Sequence, residues 1–205
     1  ISACLVGSEM CIRDRAIAGA TNVRVERFIP AARKWRMLTA PLTGASNNSI
    51  FANWQNAGTA DGSTGAIIWS NTGGNGLYNA GGTATTSILS LAAGGSSWTP
   101  LAGTNNTNLF TGSQNNSYMI FVTGPFNTTG AFITGNPAAT TLRATGTLRQ
   151  GNVSFSSLPA GFNMVGNPYA SPVRTNQIGL VSTNNTFYVW NPALGGLGAY
   201  QTIPN

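Results

Sequence analysis

The chain has 205 residues, 41% of them hydrophobic and only 7% charged, where an ordinary globular chain carries roughly 25% charge. That hydrophobic share supports a sizeable core and excludes the low-hydropathy, high-charge signature of disorder. There is no histidine, and 10 Lys and Arg stand against 4 Asp and Glu for a net charge of +6. The first of these facts removes His-based general-base catalysis, Ser-His-Asp triads and the commonest metal ligand.

The chain opens on an apolar stretch that does not read as a signal peptide. Its charges, Glu9, Arg13, Asp14 and Arg15, follow the apolar part rather than precede it. Leu5 to Asp14 resembles the conceptual translation of a transposase-end sequencing adapter. Residues 1–15 are therefore expected to be a non-native segment, and 16–205 a single β-sandwich domain truncated at one or both ends. Both cysteines, Cys4 and Cys11, lie in the suspect segment, so disulfide and thiol chemistry are not expected of the rest.

In chain order, Val23–Ile29 is rich in β-branched and aromatic residues and predicts a strand, stopped by Pro30. Residues 34–40 predict a second, ended by Pro41. Residues 49–56 predict a short helix capped by Asn48 or Ser49, with Ile50, Phe51 and Trp54 on one face. A Gly-rich stretch from 57 to 82 follows. It holds one compact apolar run, 66–69, and the pairs Gly73-Gly74 and Gly81-Gly82 as turns. Residues 87–91 and 98–101 predict short strands.

The second half is stronger. Residues 117–123 form a nearly continuous apolar run, as a strand buried on both faces requires. Residues 140–149 alternate, with Leu142, Ala144, Gly146 and Leu148 on one face and Arg143, Thr145, Thr147 and Arg149 on the other. Residues 152–155 are expected to pair back after Gln150-Gly151, and 162–165, 186–190 and 199–203 complete the strands. Asn136-Pro137, Asn167-Pro168 and Asn191-Pro192 mark turns. Many short strands with turn signals between them predict an all-β, antiparallel β-sandwich of jelly-roll-like form, with one short helix near 49–56.

Beyond residue 15 only two carboxylates remain, Glu26 and Asp61. Glycoside hydrolysis usually needs a flanking pair. Glu26 sits between Arg24 and Arg27, where an ion pair is expected, and Asp61 sits in the turn sequence Ala60-Asp61-Gly62-Ser63. No Gly-Lys-Ser/Thr phosphate loop is present. No catalytic residue, cofactor or metal site is therefore expected. Five bases crowd together at Arg24, Arg27, Arg33, Lys34 and Arg36. The preferred reading is solvent-facing strand edges that discourage edge-to-edge pairing, rather than a nucleic-acid surface.

Five tryptophans remain, Trp35, Trp54, Trp69, Trp98 and Trp190. They fit core and rim packing of a sandwich. The alternative is stacking on glycans, for which Trp54, Trp69, Trp98 and Trp190 are the candidates.

Several stretches taken together carry a family likeness: residues 25–30, Lys34-Trp35-Arg36-Met37-Leu38-Thr39-Ala40-Pro41, residues 118–122 and 141–146, Val165-Gly166-Asn167-Pro168-Tyr169-Ala170-Ser171-Pro172 and Phe187-Tyr188-Val189-Trp190-Asn191-Pro192. Their order and spacing resemble the region before the C-terminal sorting domain in large Bacteroidetes surface proteins exported by type IX secretion. The likeness spans most of residues 23–203 and departs at Thr123-Gly124. It implies an extracellular or outer-membrane-surface location and an adhesin-like, non-catalytic structural role. The alternatives are a carbohydrate-binding module and, further off, a hydrolase fragment. The partners it implies are surface glycans or other cell-surface components, with no nucleic acid and no transmembrane segment. The secretion machinery would act only through regions outside this chain.

Overall fold

A computed structural model describes residues 17–44, 48–55, 64–82, 85–110, 117–126, 130–155, 158–181, 183–184 and 186–204. Asp61 lies outside the described residues, as do residues 1–16.

The alternating strand over 140–149 organises one sheet. It forms β9 (Thr140–Leu148), and its even positions are buried while its odd ones are half-exposed. Strand β1 (Val23–Ile29) runs antiparallel along one side, from Val23 opposite Gly146 to Ile29 opposite Thr140. The short β3 (Leu42–Thr43) pairs on the other side. The apolar run over 117–123 organises the second sheet as β8 (Ser117–Val122). It lies between β2 (Lys34–Thr39) and β6 (Ile88–Leu91), with β7 (Trp98–Pro100) at the far edge, all antiparallel.

One apolar core joins the sheets. Ile29, Leu142, Ala144 and Leu148 of the first meet Leu38, Tyr118, Ile120, Val122 and Ile88 of the second. This is the two-layer solution by which sheets with one apolar face each exclude water. The fold is thus the expected all-β sandwich.

The remaining strands lie outside the two layers. Strands β4 (Trp69–Ser70) and β5 (Tyr78–Asn79) form a short parallel pair. Strands β10 (Thr186–Asn191) and β11 (Ala199–Pro204) form an antiparallel hairpin.

The outer face of the second sheet is covered as well. Phe121 packs there with Ile67, Trp69, Ile133 and Phe132 in a smaller apolar cluster. Ile133 and Phe132 come from one short helix, α1 (Ala131–Thr134), which the sequence did not reveal.

The helix expected over 49–56 is present but wound differently. Residues Phe51–Gln55 form a π-type turn rather than an α-helix. The Ser49 hydroxyl accepts from the Ala52 amide at 3.1 Å, as the capping expectation requires. The widening has a cause further along the chain. The amides of Gly65 and Ala66 donate to the carbonyls of Gln55 and Trp54, at 2.9 and 2.8 Å. Those carbonyls are drawn out of the helical ladder toward the returning chain.

Two expected strands are absent. Residues 152–155 and 162–165 hold no ladder. Both sides of β9 are already occupied, by β1 on one side and by β3 and the π turn on the other. Residue 162 makes an isolated bond instead, its amide donating to the Gly94 carbonyl at 3.0 Å.

The basic cluster meets the expectation in part: Arg24 and Arg27 are exposed on β1, which like β2 is an edge strand. Arg36 is buried, with its guanidinium donating to the Lys34 carbonyl at 3.1 Å. Burial holds its pKa below the ordinary guanidinium value. Arg33 donates to the carbonyls of Phe132, Ile133 and Gly135 around the end of α1, at 3.4, 2.6 and 3.2 Å. Lys34 donates to the Gly195 carbonyl at 2.8 Å. Arg33 and Lys34 thus cross-link to neutral backbone of distant segments, while Arg36 bonds within its own strand.

Candidate functional site: an aromatic row on the C-terminal hairpin

The hairpin β10–β11 is built from Thr-Phe-Tyr-Val-Trp-Asn and Ala-Tyr-Gln-Thr-Ile-Pro. Strand alternation puts Tyr188 and Trp190 on one face, about 6.7 Å apart along the strand. Cross-strand pairing sets Thr202 and Tyr200 opposite them on that same face.

Three bonds fasten the hairpin beside β2. The Trp190 indole N–H donates to the Trp35 carbonyl at 2.8 Å. The Trp35 amide donates to the Leu197 carbonyl at 3.1 Å, and Lys34 reaches Gly195. The connecting turn begins with the expected Asn-Pro step. The Asn191 side-chain oxygen accepts from the Ala193 amide at 2.9 Å. Gly198 closes the turn at φ 109°, and a Cβ there would lie 2.5 Å from Trp190 Nε1. Glycine is therefore required for the Trp190 ring to seat.

Trp190 and Tyr200 meet edge to face, with ring centroids 5.1 Å apart. Trp98 of β7 lies beside the Tyr200 hydroxyl; partial burial raises the Tyr200 pKa, and Trp98 offsets part of that rise. At the other end, Tyr188 meets Phe162 edge to face at 5.5 Å. Gly95 in the β6–β7 connection backs Phe162 so closely that a Cβ would fall 2.4 Å from the Phe162 Cβ. The rings thus follow one another from Phe162 through Tyr188, Trp190 and Tyr200 to Trp98. Phe162, Tyr188 and Tyr200 are 63%, 52% and 49% exposed, while Trp98 and Trp190 are half-buried.

The tryptophan candidates therefore divide. Trp54 is buried in the main core, edge to face with Tyr118 at 6.1 Å. Trp69 is buried in the smaller cluster against Phe121 at 6.1 Å. Neither offers a ring face to a sugar, which corrects the stacking expectation for these two. Trp98 and Trp190 are brought together by the hairpin. Sequence reasoning missed Phe162, Tyr188 and Tyr200. The alternation Tyr188-Val189-Trp190 was the available signal for a shared face.

Of the two carboxylates weighed for chemistry, Glu26 lies on the outer face of β1. It is paired at 2.9 Å with both Arg24 and Arg143. Among the described residues there is no group of three or more His, Cys, Asp or Glu that could hold a metal. No helix among them is long and apolar enough to cross a membrane. An open trough of about 490 Å3 runs along Thr43 and residues 148–150 and 152–154. Burial keeps the pKa of Arg149 in its wall below the ordinary value, with the neighbouring Tyr169 acting in the opposite sense. No family model matches the chain, and no curated protein or solved structure matches it either.

Proposed function

We propose that the chain is a non-catalytic, extracellular structural or adhesive β-domain of a bacterial surface protein. The supporting observation is the state of Glu26. This carboxylate, the one acid among the described residues, is held between two guanidinium groups on an open strand face, with no second carboxylate among those residues to complete a catalytic pair. The resemblance to the Bacteroidetes surface proteins supplies the location, and type IX export belongs to that same reading. Immunogold labelling of intact cells with antibody to this chain tests it. Label on the outer surface is the expected result, and label confined to the cytoplasm would sink the reading.

The half-exposed rings of the hairpin favour a second reading, a carbohydrate-binding module. It differs from the first in requiring a soluble glycan ligand.

A further inference from the structure

We infer that the row Phe162, Tyr188, Trp190, Tyr200 and Trp98 is a stacking platform for a neutral, extended polysaccharide chain. This deepens the adhesive reading by naming its ligand, and it rests on that reading for its biological setting.

The surface chemistry selects the ligand class. From Thr175 to Asn205 the sequence has no charged side chain at all. A polyanion or an anionic membrane therefore meets no cation from these residues, and the cation that reaches the hairpin turn from β2, Lys34, is engaged by the Gly195 carbonyl at 2.8 Å. The exposed groups of the row are aromatic rather than aliphatic. Their ring faces carry the negative lobe of the π quadrupole, which attracts the weakly positive axial C–H groups of a pyranose. Sugar hydroxyls also need donors and acceptors at the rim. Thr202 lies directly opposite Tyr188 on the same face. Asn163 adjoins Phe162, its side-chain amide donating to the carbonyls of Pro159 and Gly161 at 2.8 and 3.2 Å.

The row is also prearranged. The Trp190 indole N–H is committed to the Trp35 carbonyl at 2.8 Å, which holds that ring in place before a ligand arrives and lowers the ordering cost of binding. Contacting rings of the row stand nearly perpendicular, at 78° for Phe162–Tyr188 and 89° for Trp190–Tyr200, so within each pair one ring turns a face where the other turns an edge.

The test is isothermal titration of the 205-residue chain with laminarin, xylan, mannan and cellohexaose, beside alginate and phosphatidylglycerol vesicles. Saturable binding to at least one neutral glycan, unchanged by added salt, is expected. Phe162→Ala, Tyr188→Ala and Tyr200→Ala should each weaken it about tenfold. Phe28→Ala, which removes an exposed ring on the outer face of β1, should leave it unchanged. Near-UV circular dichroism confirms that each variant folds, and the exposure of Phe162 and Tyr188 makes at least those two informative. The inference is overturned by no binding to any neutral glycan, by binding that the row variants do not weaken, or by salt-sensitive binding to alginate or vesicles alone. A dimer that Tyr200→Ala dissociates would overturn it in favour of a second copy. None of these results touches surface location, which the labelling experiment decides separately.

Discussion

Gly65 is a position where the backbone leaves no room for a side chain. A Cβ there would lie 1.9 Å from the Trp54 carbonyl oxygen, and that atom is rigid backbone. Gly65→Ala should therefore cost about 3 kcal/mol or more, because the π turn and the strand-like run behind it must separate. Gly151 has φ +70° and open space around it, so Gly151→Ala should cost only about 1 kcal/mol of backbone strain. Urea midpoints for the two variants check the contrast, and equal losses would contradict it. Tyr118 supplies a second residue-scale prediction. Burial pushes its pKa up to about 12 from the ordinary 10.0. The unfolded chain then loses this proton at lower pH than the folded one. Stability from Tyr118 is whole below pH 10 and declines as pH rises from there to about 12. The loss is of order 2–3 kcal/mol in total. Tyr118→Phe should flatten that alkaline decline; a slope identical to that of the parent would show that another group is responsible.

The π turn ties the first sheet to the connecting segments around it, and its polar residues explain how. Asn53 accepts from the Thr145 amide at 3.1 Å, standing in for a neighbour strand where β3 has ended. Gln55 is fully buried, donating to the carbonyls of Ile68 and Gly76 at 3.3 and 2.7 Å and accepting from the Thr104 hydroxyl at 2.7 Å. Gln55→Met keeps the volume but strands these groups, so a loss of about 3 kcal/mol is expected. Thermal unfolding of that variant measures it, and a change under 1 kcal/mol would remove the element's supposed role. Sequence reading found Val23–Ile29 to the residue, and β2, β8, β9, β10 and β11 within one or two, because alternation or a continuous apolar run marks each locally. Residues 152–155 and 162–165 hold no ladder, because β9, the strand that precedes them, already has neighbours on both sides, and that occupancy is a property of the whole fold. The π winding depended on Gly65 and Ala66 returning to bond it, ten and more residues later. Asn75-Gly76 was a legible signal left unused. With φ of 49° and 89° it makes a tight turn, and Gly74 and Leu77 exchange both backbone bonds across it. The candidate site was half legible: Trp98 and Trp190 came from residue type alone, while the tyrosines needed the cross-strand register.

At the scale of the molecule, burial is uneven along the chain. Strands β8 and β9 sit inside their sheets with ladders on both sides. Residues 158–200 carry most of the exposed large apolar side chains, including Leu158, Phe162, Val165 and Val181. Local opening should follow that gradient. Native-state hydrogen exchange is expected to be slowest in β8 and β9, and markedly faster at the backbone amides of β10 and β11. Equal protection in the two pairs would show that the hairpin opens only with the core. The seam between hairpin and sandwich has an optical consequence. Trp54 and Trp69 are 3% and 4% exposed and belong to the two cores, whereas the Trp190 indole is seated against the Trp35 carbonyl of β2 at the seam. Lifting the hairpin would wet the Trp190 indole and leave those two dry. The emission spectrum would then split into a red-shifted component and an unmoved blue one, so the chain carries its own label for the detachment of a single layer.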